Sequence, residues 1–381
     1  MQGKSERYSS ATRMANPKLV PQGNATTGRT TSTSQGQKRP SPTPSTPQDG
    51  LSFACQPSSF GVPLIRESLN QHDLSDITKD VLLASWRTGT IKQYRTYLNK
   101  WQQYCQEKNL DVFNPGVDNA IEFLSSLFQS GLGYSAINTA RSALSTILIL
   151  DNGMKFGEHP LVCRFIKGIF QLKPSLPRYA DVWDVTTVLD HLKTYKLAHQ
   201  LTLKELTLKL TMLLCLFTAQ RCQTIHLIDI THIQPMEGKY RITIQQKLKQ
   251  TKPGHHLNPI ELVEFVEDRK LCIVTDLKEY LCKTQKIRDT HTQLLLSYVK
   301  PFKPVNKETI SRWVKLVLQH AGVDVTKYAA HSSRAASTSF AKQKGLNLQE
   351  IMKSAGWTSS TTFERFYNKP TEQNFDQTIL S

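Results

Sequence analysis

The stretch that decides the fold lies near the C-terminus. It begins with His331-Ser332-Ser333-Arg334 and resumes as Gly356-Trp357-Thr358-Ser359-Ser360-Thr361-Thr362-Phe363-Glu364-Arg365-Phe366-Tyr367. A tyrosine hydroxyl can attack a phosphate in line only if cations neutralise the charge that builds up on the non-bridging oxygens. His331 and Arg334 share one face of a predicted helix, where the histidine can donate to a phosphate oxygen or assist proton transfer. The stretch therefore indicates phosphodiester chemistry with Tyr367 as the nucleophile.

A second arginine with the right setting is Arg221, which follows the apolar run 210–217. Arginine stays protonated, and its planar fork can clamp two phosphate oxygens at once. A charge at the end of such an apolar helix is costly unless it has a partner. We interpret Arg221 and Arg334 as a phosphate-binding pair, with a structural helix cap as the alternative for Arg221.

The leaving 5′-oxygen needs a proton, which a lysine on a mobile hairpin can deliver without any metal. Residues 240–246 alternate with period two, as a half-buried strand does, and Pro253-Gly254 marks a turn. Lys247, Lys249 and Lys252 lie on or beside this predicted hairpin. We favour Lys249 as the general acid and leave the other two as candidates.

Two aromatic residues of the stretch allow a second interpretation. Trp357 can donate through its indole N–H to a phosphate, and it would equally serve as a core aromatic. Tyr367 lies with Phe363 and Phe366 on one helical stripe, which by itself favours a buried aromatic. The order Arg221, His331, Arg334, Trp357 is what favours a nucleophile instead.

Composition indicates a polyanionic partner. Lys and Arg outnumber Asp and Glu by 48 to 31, which gives a net charge of +17 in a chain of 381 residues. The longest apolar run is about half a bilayer span, and the N-terminus lacks the apolar stretch of a secretory signal. The seven cysteines form no C-x-x-C pair, which argues against a disulfide or zinc framework. We therefore expect an intracellular protein with no membrane segment, no metal and no cofactor.

The pattern along the chain predicts four parts. Residues 1–73 are rich in Ser, Thr, Pro, Gln and Gly and read as a disordered basic tail. Residues 74–173 form a helical domain with helices near 90–104, 118–129, 135–150 and 160–170. Residues 174–182 are a linker, and residues 183–381 form a larger domain with helices near 183–197, 203–218, 309–321, 332–344 and 347–354.

Basic residues on two predicted helices are candidate DNA contacts. In the helix near 90–104, Tyr94, Leu98 and Trp101 share the buried face, which leaves the polar face for phosphates. The helix near 309–321 is the candidate for groove contact, and exposure of its charges to solvent is the alternative. The tentative DNA-binding residues are Lys92, Arg95, Lys100, Arg312 and Lys315.

These residues, in this order, resemble the tyrosine recombinase (phage-integrase-like) family. The family's first arginine corresponds to Arg221, its His-x-x-Arg box to His331 and Arg334, its His or Trp to Trp357, and its nucleophile to Tyr367. The family's lysine falls on the predicted hairpin, where Lys247, Lys249 and Lys252 all remain candidates. Residues 82–170 resemble its helical core-binding domain, so the likeness covers about three quarters of the chain. The Gln220-Arg221-Cys222 box and the ending Phe366-Tyr367-Asn368-Lys369-Pro370 look most like recombinases of animal DIRS-like and Ngaro-like retrotransposons.

The resemblance implies a mainly α fold with a small β-hairpin sheet: a helical SAM-like core-binding domain followed by an α+β catalytic domain. It implies an enzyme of the nucleus, or of the cytoplasm before nuclear entry, that cleaves double-stranded DNA through a covalent 3′-phosphotyrosine. This enzyme would act as a homotetramer on two duplexes, integrate a mobile element, and need neither ATP nor metal. The alternative is a domesticated, catalytically inactive DNA-binding protein that descends from such a recombinase. A type IB topoisomerase shares the Arg, Lys, His and Tyr chemistry, but the short chain and the separate helical N-terminal domain argue against it.

Two departures from the family pattern matter. The family commonly carries an acidic residue three positions after the first arginine, where this chain has Thr224. The bracing of Arg221 must then come from elsewhere. Trp357 and Tyr367 are ten residues apart, where better-known members have nine, which predicts a small register shift of the nucleophile helix.

Overall fold

A computed structural model describes residues 63–150, 153–175 and 179–370. These residues form a mainly helical fold with one small antiparallel sheet, as the sequence predicted. The helices are α1 (Pro63–Leu69), α2 (Asp76–Leu83), α3 (Thr88–Lys108), α4 (Val117–Gln129), α5 (Tyr134–Leu144), α6 (Pro160–Leu172), α7 (Val185–Lys193), α8 (Leu203–Thr218), α9 (Cys222–His226), α10 (Ile273–Thr284), α11 (Lys307–His320), α12 (Ser332–Gln343), α13 (Leu348–Ala355) and α14 (Ser360–Phe366). The strands are β1 (Ile233–Met236), β2 (Lys239–Ile242) and β3 (Ile260–Val263).

The first hydrophobic cluster is built around α3. Leu98, Trp101 and Cys105 recur at helical spacing and are fully buried, so one stripe of α3 packs against α5 and, through Trp101 and Phe123, against α4. The indole N–H of Trp101 donates to the carbonyl of Val112 at 3.0 Å, and its ring meets Phe123 edge-on. The buried stripe predicted from the sequence is therefore confirmed, with the basic residues on the other face.

The second cluster is built around α8, which is buried on nearly all sides. A capping box starts this helix, because Thr202 accepts from the backbone of Glu205 and the Glu205 carboxylate accepts from the backbone of Thr202. Helices α10, α11 and α12 pack around it. A helix with apolar residues on most of its faces is stable in water only when neighbouring helices cover those faces.

One ion pair lies inside this second cluster. Lys209 of α8 and Asp276 of α10 are 3.0 Å apart, and both side chains are completely buried. Burial raises the pKa of Asp276 to about 6, against the attraction of Lys209. The pair joins two helices at the centre of the domain.

The sheet has the strand order β1-β2-β3, with Tyr240 opposite Pro235 on one side and Leu262 on the other. Strand β2 ends at Ile242, so the predicted alternation beyond it does not continue as a strand. Residues 243–259 instead form a long irregular loop before β3. This loop carries all three candidate lysines.

The structure corrects several local predictions. Residues 1–62 of the predicted tail lie outside the described residues, but the part placed at 63–69 is helix α1, whose Leu64 and Ile65 are buried in the first cluster. Helix α5 starts after Gly133 and ends at Leu144, well before the end predicted near residue 150.

At the other end of the chain, Asn347 caps α13, accepting from the backbone of Gln349. Helix α14 follows Ser359, which makes no side-chain capping bond. Residues 179–182 of the predicted linker contact the second cluster, because Val182 is buried there and Asp181 binds Lys327 and Tyr328.

Candidate active site

Arg334 lies at the point where three helices meet. It is 1% exposed, and its two Nη atoms donate to the carbonyls of Ala219 and Ala355, each at 2.7 Å. These carbonyls belong to the C-terminal ends of α8 and α13, where the last carbonyls have no helical partner and the helix dipole favours a cation. Small residues around Arg334 in α12, including Ser333 and Ala335, allow this close approach.

The charge of Arg334 is uncompensated by any carboxylate within the described residues. Burial, followed by the nearby charge of Arg221, lowers the pKa of Arg334 to about 9. The guanidinium is still protonated at neutral pH. A buried, crowded cation of this kind favours an anionic ligand.

Arg221 stands between α8 and α9 as the residue that precedes α9. It is half-buried, and its Nη1 donates to the side-chain oxygen of Gln250 at 2.6 Å. Ala219, two residues earlier, adopts a left-handed conformation with φ of 51° that ends α8 and turns the chain towards the site. The Arg221 side chain makes no capping bond to α9, and the hydrogen bond that the structure gives it goes to Gln250 rather than to the end of α8.

Tyr367 is the first residue after α14, so it is not on the helical stripe that the sequence predicted. Phe363 is buried, whereas Phe366 is 55% exposed and lies off the core. The Tyr367 carbonyl accepts from the Ser339 hydroxyl at 2.6 Å, and two chain positions later the Lys369 N–H donates to the same oxygen atom of Ser339. These contacts hold the backbone of Tyr367 against α12.

The side chain of Tyr367 lies beside the three other predicted site residues of the C-terminal stretch. Its hydroxyl lies 3.4 Å from Nε2 of His331, and its ring is 4.5 Å from the ring of Trp357. The guanidinium of Arg334 stacks on both aromatic rings, 4.5 Å from that of Trp357 and 5.5 Å from that of Tyr367. The indole nitrogen of Trp357 is buried and has no hydrogen-bond partner among the described residues.

A cavity of about 290 Å³ opens beside these groups. Arg221, His331 and Arg334 line one side, and Lys307 and Ser311 of α11 line the other. The remaining lining residues are Gln220, Cys222, Gln223, Glu308, Ala330 and Ser333. The cavity is thus a cationic pocket, and one of its lining residues, His331, lies 3.4 Å from the Tyr367 hydroxyl. This arrangement suits nucleophilic attack on a phosphodiester.

The structure places Lys247, Lys249 and Lys252 in the irregular loop 243–259 rather than on a strand. All three side chains are exposed. Arg87, which precedes α3, donates to the backbone carbonyls of Lys249 and Thr251, so the turn at 249–251 is held between the two clusters. Solvent exposure therefore does not distinguish which of the three lysines is the general acid.

The tentative DNA contacts lie on solvent-facing surfaces. Lys92 and Lys100 are exposed and Arg95 is half-buried on α3, opposite its buried stripe. Arg312 and Lys315 are exposed on α11, the helix that also lines the cavity. Their role in DNA binding remains a prediction.

Gln250 is the site residue that sequence reasoning missed. An amide in a polar loop has no periodic signal, and the only pointer was the missing acidic brace near Thr224. Among the described residues there is no cluster of three His, Cys, Asp or Glu side chains that could hold a metal ion. No described helix has the length and apolar character to cross a membrane.

Comparison with known proteins adds to this picture. The model of the phage integrase family matches residues 184–374, half of the chain. A structure of the XerH site-specific recombinase bound to palindromic difH substrate, a post-cleavage complex, aligns with a TM-score of 0.53 and 17% identity, covering 82% of this chain and 85% of that chain. The pre-cleavage complex of XerH with difH aligns with a TM-score of 0.51, the same identity and the same coverage. No curated protein sequence matches the chain.

Proposed function

Because the chain belongs to the phage integrase family, we propose that it is a DNA recombinase that cleaves and rejoins strands through a covalent 3′-phosphotyrosine. One observation carries this proposal. Arg221, His331 and Arg334 line one cationic cavity, the Tyr367 hydroxyl lies 3.4 Å from Nε2 of His331, and the Arg334 guanidinium stacks on the rings of Trp357 and Tyr367. A mere structural tyrosine does not need two arginines without carboxylate partners beside it.

In the proposed reaction the Tyr367 oxygen forms a bond to phosphorus while the bond from phosphorus to O5′ breaks. The tyrosine proton passes to Nε2 of His331, which lies 3.4 Å away. Arg221, the remaining N–H groups of Arg334 and the indole N–H of Trp357 stabilise the charge on the non-bridging oxygens. The product keeps a phosphodiester-like bond, so rejoining requires no external energy source.

The leaving O5′ takes its proton from a lysine, and we propose Lys249 for this role. Its neighbour Gln250 contacts Arg221, which brings this part of the loop to the site. A substrate with sulfur in place of O5′ tests the assignment, because a thiolate leaves without protonation. Lys249→Ala should cleave the normal DNA slowly and the sulfur-containing DNA at the wild-type rate, whereas Lys247→Ala and Lys252→Ala should cleave both normally.

DNA is the proposed substrate, and the XerH structures that share the fold contain difH DNA. The net charge of +17 supports binding to a polyanion. We propose that Lys92, Arg95 and Lys100 contact the backbone on one side of the duplex and that Arg312 and Lys315 do so from α11. Alanine at these positions should weaken binding and reduce its salt dependence by about one unit of slope for each lost phosphate contact.

The biological setting belongs to the same proposal. The resemblance to DIRS-like and Ngaro-like recombinases supports integration of a mobile element in the nucleus by a tetramer on two duplexes. Residues 371–381 lie outside the described residues, and we propose that they join neighbouring subunits. Their deletion should abolish pairing of two DNA sites in a gel-shift assay while leaving single-site binding intact, and a loss of single-site binding would contradict this role.

The decisive experiment traps the covalent intermediate. Duplexes from the sequences that flank the gene are nicked close to the cleavage position, so that the short released strand diffuses away and cannot be rejoined. Wild-type protein should become linked to the DNA, and Tyr367→Phe should bind without forming the adduct. An adduct with Tyr367→Phe would place the nucleophile elsewhere, and binding without any wild-type adduct would favour the inactive DNA-binding alternative.

A further inference from the structure

Gln250 connects three parts of the candidate site. Its side-chain oxygen accepts from Nη1 of Arg221 at 2.6 Å, and since arginine can only donate, the amide oxygen must face it. The other end of the carboxamide packs against Gly356, where an added Cβ would lie 2.5 Å from Nε2. Gly356 ends α13 and precedes Trp357.

This contact stands where the sequence predicted a missing brace. Thr224 is buried and donates its backbone N–H to the carbonyl of Arg221 at 2.8 Å. Within the described part of the chain Arg221 forms no ion pair, and Gln250 is the side chain that binds its guanidinium. A neutral amide orients the guanidinium without neutralising it, which leaves the full positive charge for a phosphate.

The backbone on either side of Gln250 is also fixed. Leu248 and Thr251 exchange two hydrogen bonds of 3.0 Å, one from the Leu248 N–H to the Thr251 hydroxyl and one from the Thr251 N–H to the Leu248 carbonyl. Arg87 binds the carbonyls of Lys249 and Thr251 from outside. Because this turn is internally hydrogen-bonded, the contacts of the Gln250 side chain with Arg221 and Gly356 help to determine where the turn, and with it Lys249, lies.

We propose that Gln250 is a positioning residue: its carboxamide holds Arg221 for the scissile phosphate and anchors the turn that carries Lys249 to the same site. The inference rests on the proposed function, since Arg221 and Lys249 are given their roles there. It adds a residue that couples charge stabilisation to proton delivery. Gln250 itself contacts no reacting atom.

The matched variants are Gln250→Ala and Gln246→Ala, since Gln246 is an exposed amide of the same loop. At saturating nicked DNA, Gln250→Ala should cleave about 10- to 100-fold more slowly, with DNA affinity within about twofold of wild type, because misplacement affects the reaction and not binding. Gln246→Ala should cleave at the wild-type rate. Equal rates for the two variants would overturn the proposal.

The sulfur-containing DNA separates the two roles of Gln250. It should restore Gln250→Ala only in part, since the misplaced Arg221 still slows the reaction, whereas Lys249→Ala recovers fully. Complete recovery of Gln250→Ala would remove Arg221 from the proposal. Gln250→Glu retains an acceptor but neutralises the charge of Arg221, so it should cleave more slowly than wild type; a wild-type rate would show that a neutral acceptor is not required.

Hydrogen exchange of the free protein tests the anchoring without any activity. Gln250→Ala should speed exchange of the amides at 248–251, and Gln246→Ala should not. If exchange at 248–251 is unchanged in Gln250→Ala, the anchoring role is wrong, whether or not the wild-type protein forms a covalent adduct with DNA. If the wild-type protein forms no such adduct, the proposed function is wrong, and this outcome is independent of the exchange result.

Discussion

The buried pair Lys209 and Asp276 gives a prediction about stability that can be worked from the structure. Both side chains are completely buried, and burial raises the pKa of Asp276 from 3.8 to about 6 even with Lys209 beside it. Replacing Lys209 with Met keeps the shape and removes the attraction. The pKa of the carboxyl should then rise above 6, because only the desolvation remains.

The folded protein then binds a proton that the unfolded chain has already released. Its stability therefore falls as pH rises, and the fall continues until the carboxyl is ionised in both states. In wild-type protein the loss ends near pH 6, the folded-state pKa of Asp276. In Lys209→Met the loss should extend above that pH at about 1.4 kcal/mol per pH unit, or about 2 kcal/mol between about pH 6 and 7.5.

Urea unfolding at these two pH values, followed by circular dichroism, measures the difference between the variant and wild type. The double variant Lys209→Met with Asp276→Leu removes the titrating group and should lose the extra pH dependence. Lys193→Met is the matched surface control, because Lys193 and Asp190 are largely exposed and such pairs contribute about 0–1 kcal/mol. A Lys209→Met variant with the same pH dependence as wild type would refute the reasoning.

Three further predictions concern the site. Gly356→Ala should slow cleavage at least tenfold, because φ of 68° strains any Cβ and this atom would displace Gln250; a wild-type rate would contradict the packing. Sulfur-containing DNA removes the need for a general acid, and kcat/KM reports ionisations of the free protein, so kcat/KM for this DNA should fall above about pH 9 as Arg334 loses its charge; an unchanged kcat/KM across pH 9 would count against that arginine. Trp357→Phe keeps a ring beside Arg334 but loses the indole N–H, so single-turnover cleavage should fall about tenfold or more with unchanged folding, whereas an unchanged rate would make Trp357 a packing residue only.

The sequence predicted the helices that enclose each core, because their apolar positions repeat at helical spacing. Leu98 and Trp101 are typical of that signal, and so is the apolar run of α8. It also predicted that Arg221, His331, Arg334, Trp357 and Tyr367 belong together, although their chemical roles remain predictions. These residues can be recognised in the sequence because they are charged or aromatic groups in or beside apolar segments, where such groups are uncommon.

The features that the sequence could not predict depend on where helices and strands end. The carbonyls that hold Arg334 come from Ala219 and Ala355, two residues with no chemical signal, at the ends of helices that happen to converge. The end of β2 at Ile242 and the exposure of Phe366 are likewise set by tertiary packing, which overrides a local pattern. Gln250 was missed because its contact with Arg221 is also set by tertiary packing, and an amide in a polar loop has no periodic signal.

The anchoring of Tyr367 determines which subunit supplies the nucleophile. Its hydroxyl lies beside His331 of the same chain, its carbonyl is bound by Ser339 of the same chain, and Pro370 just after it accepts from the backbone of Val182. Under the proposed function, each subunit would therefore use its own Tyr367, His331 and Arg334 and would cleave in cis. A mixture of Tyr367→Phe subunits with subunits lacking Arg334 should not complement, since neither partner can lend the other its missing group.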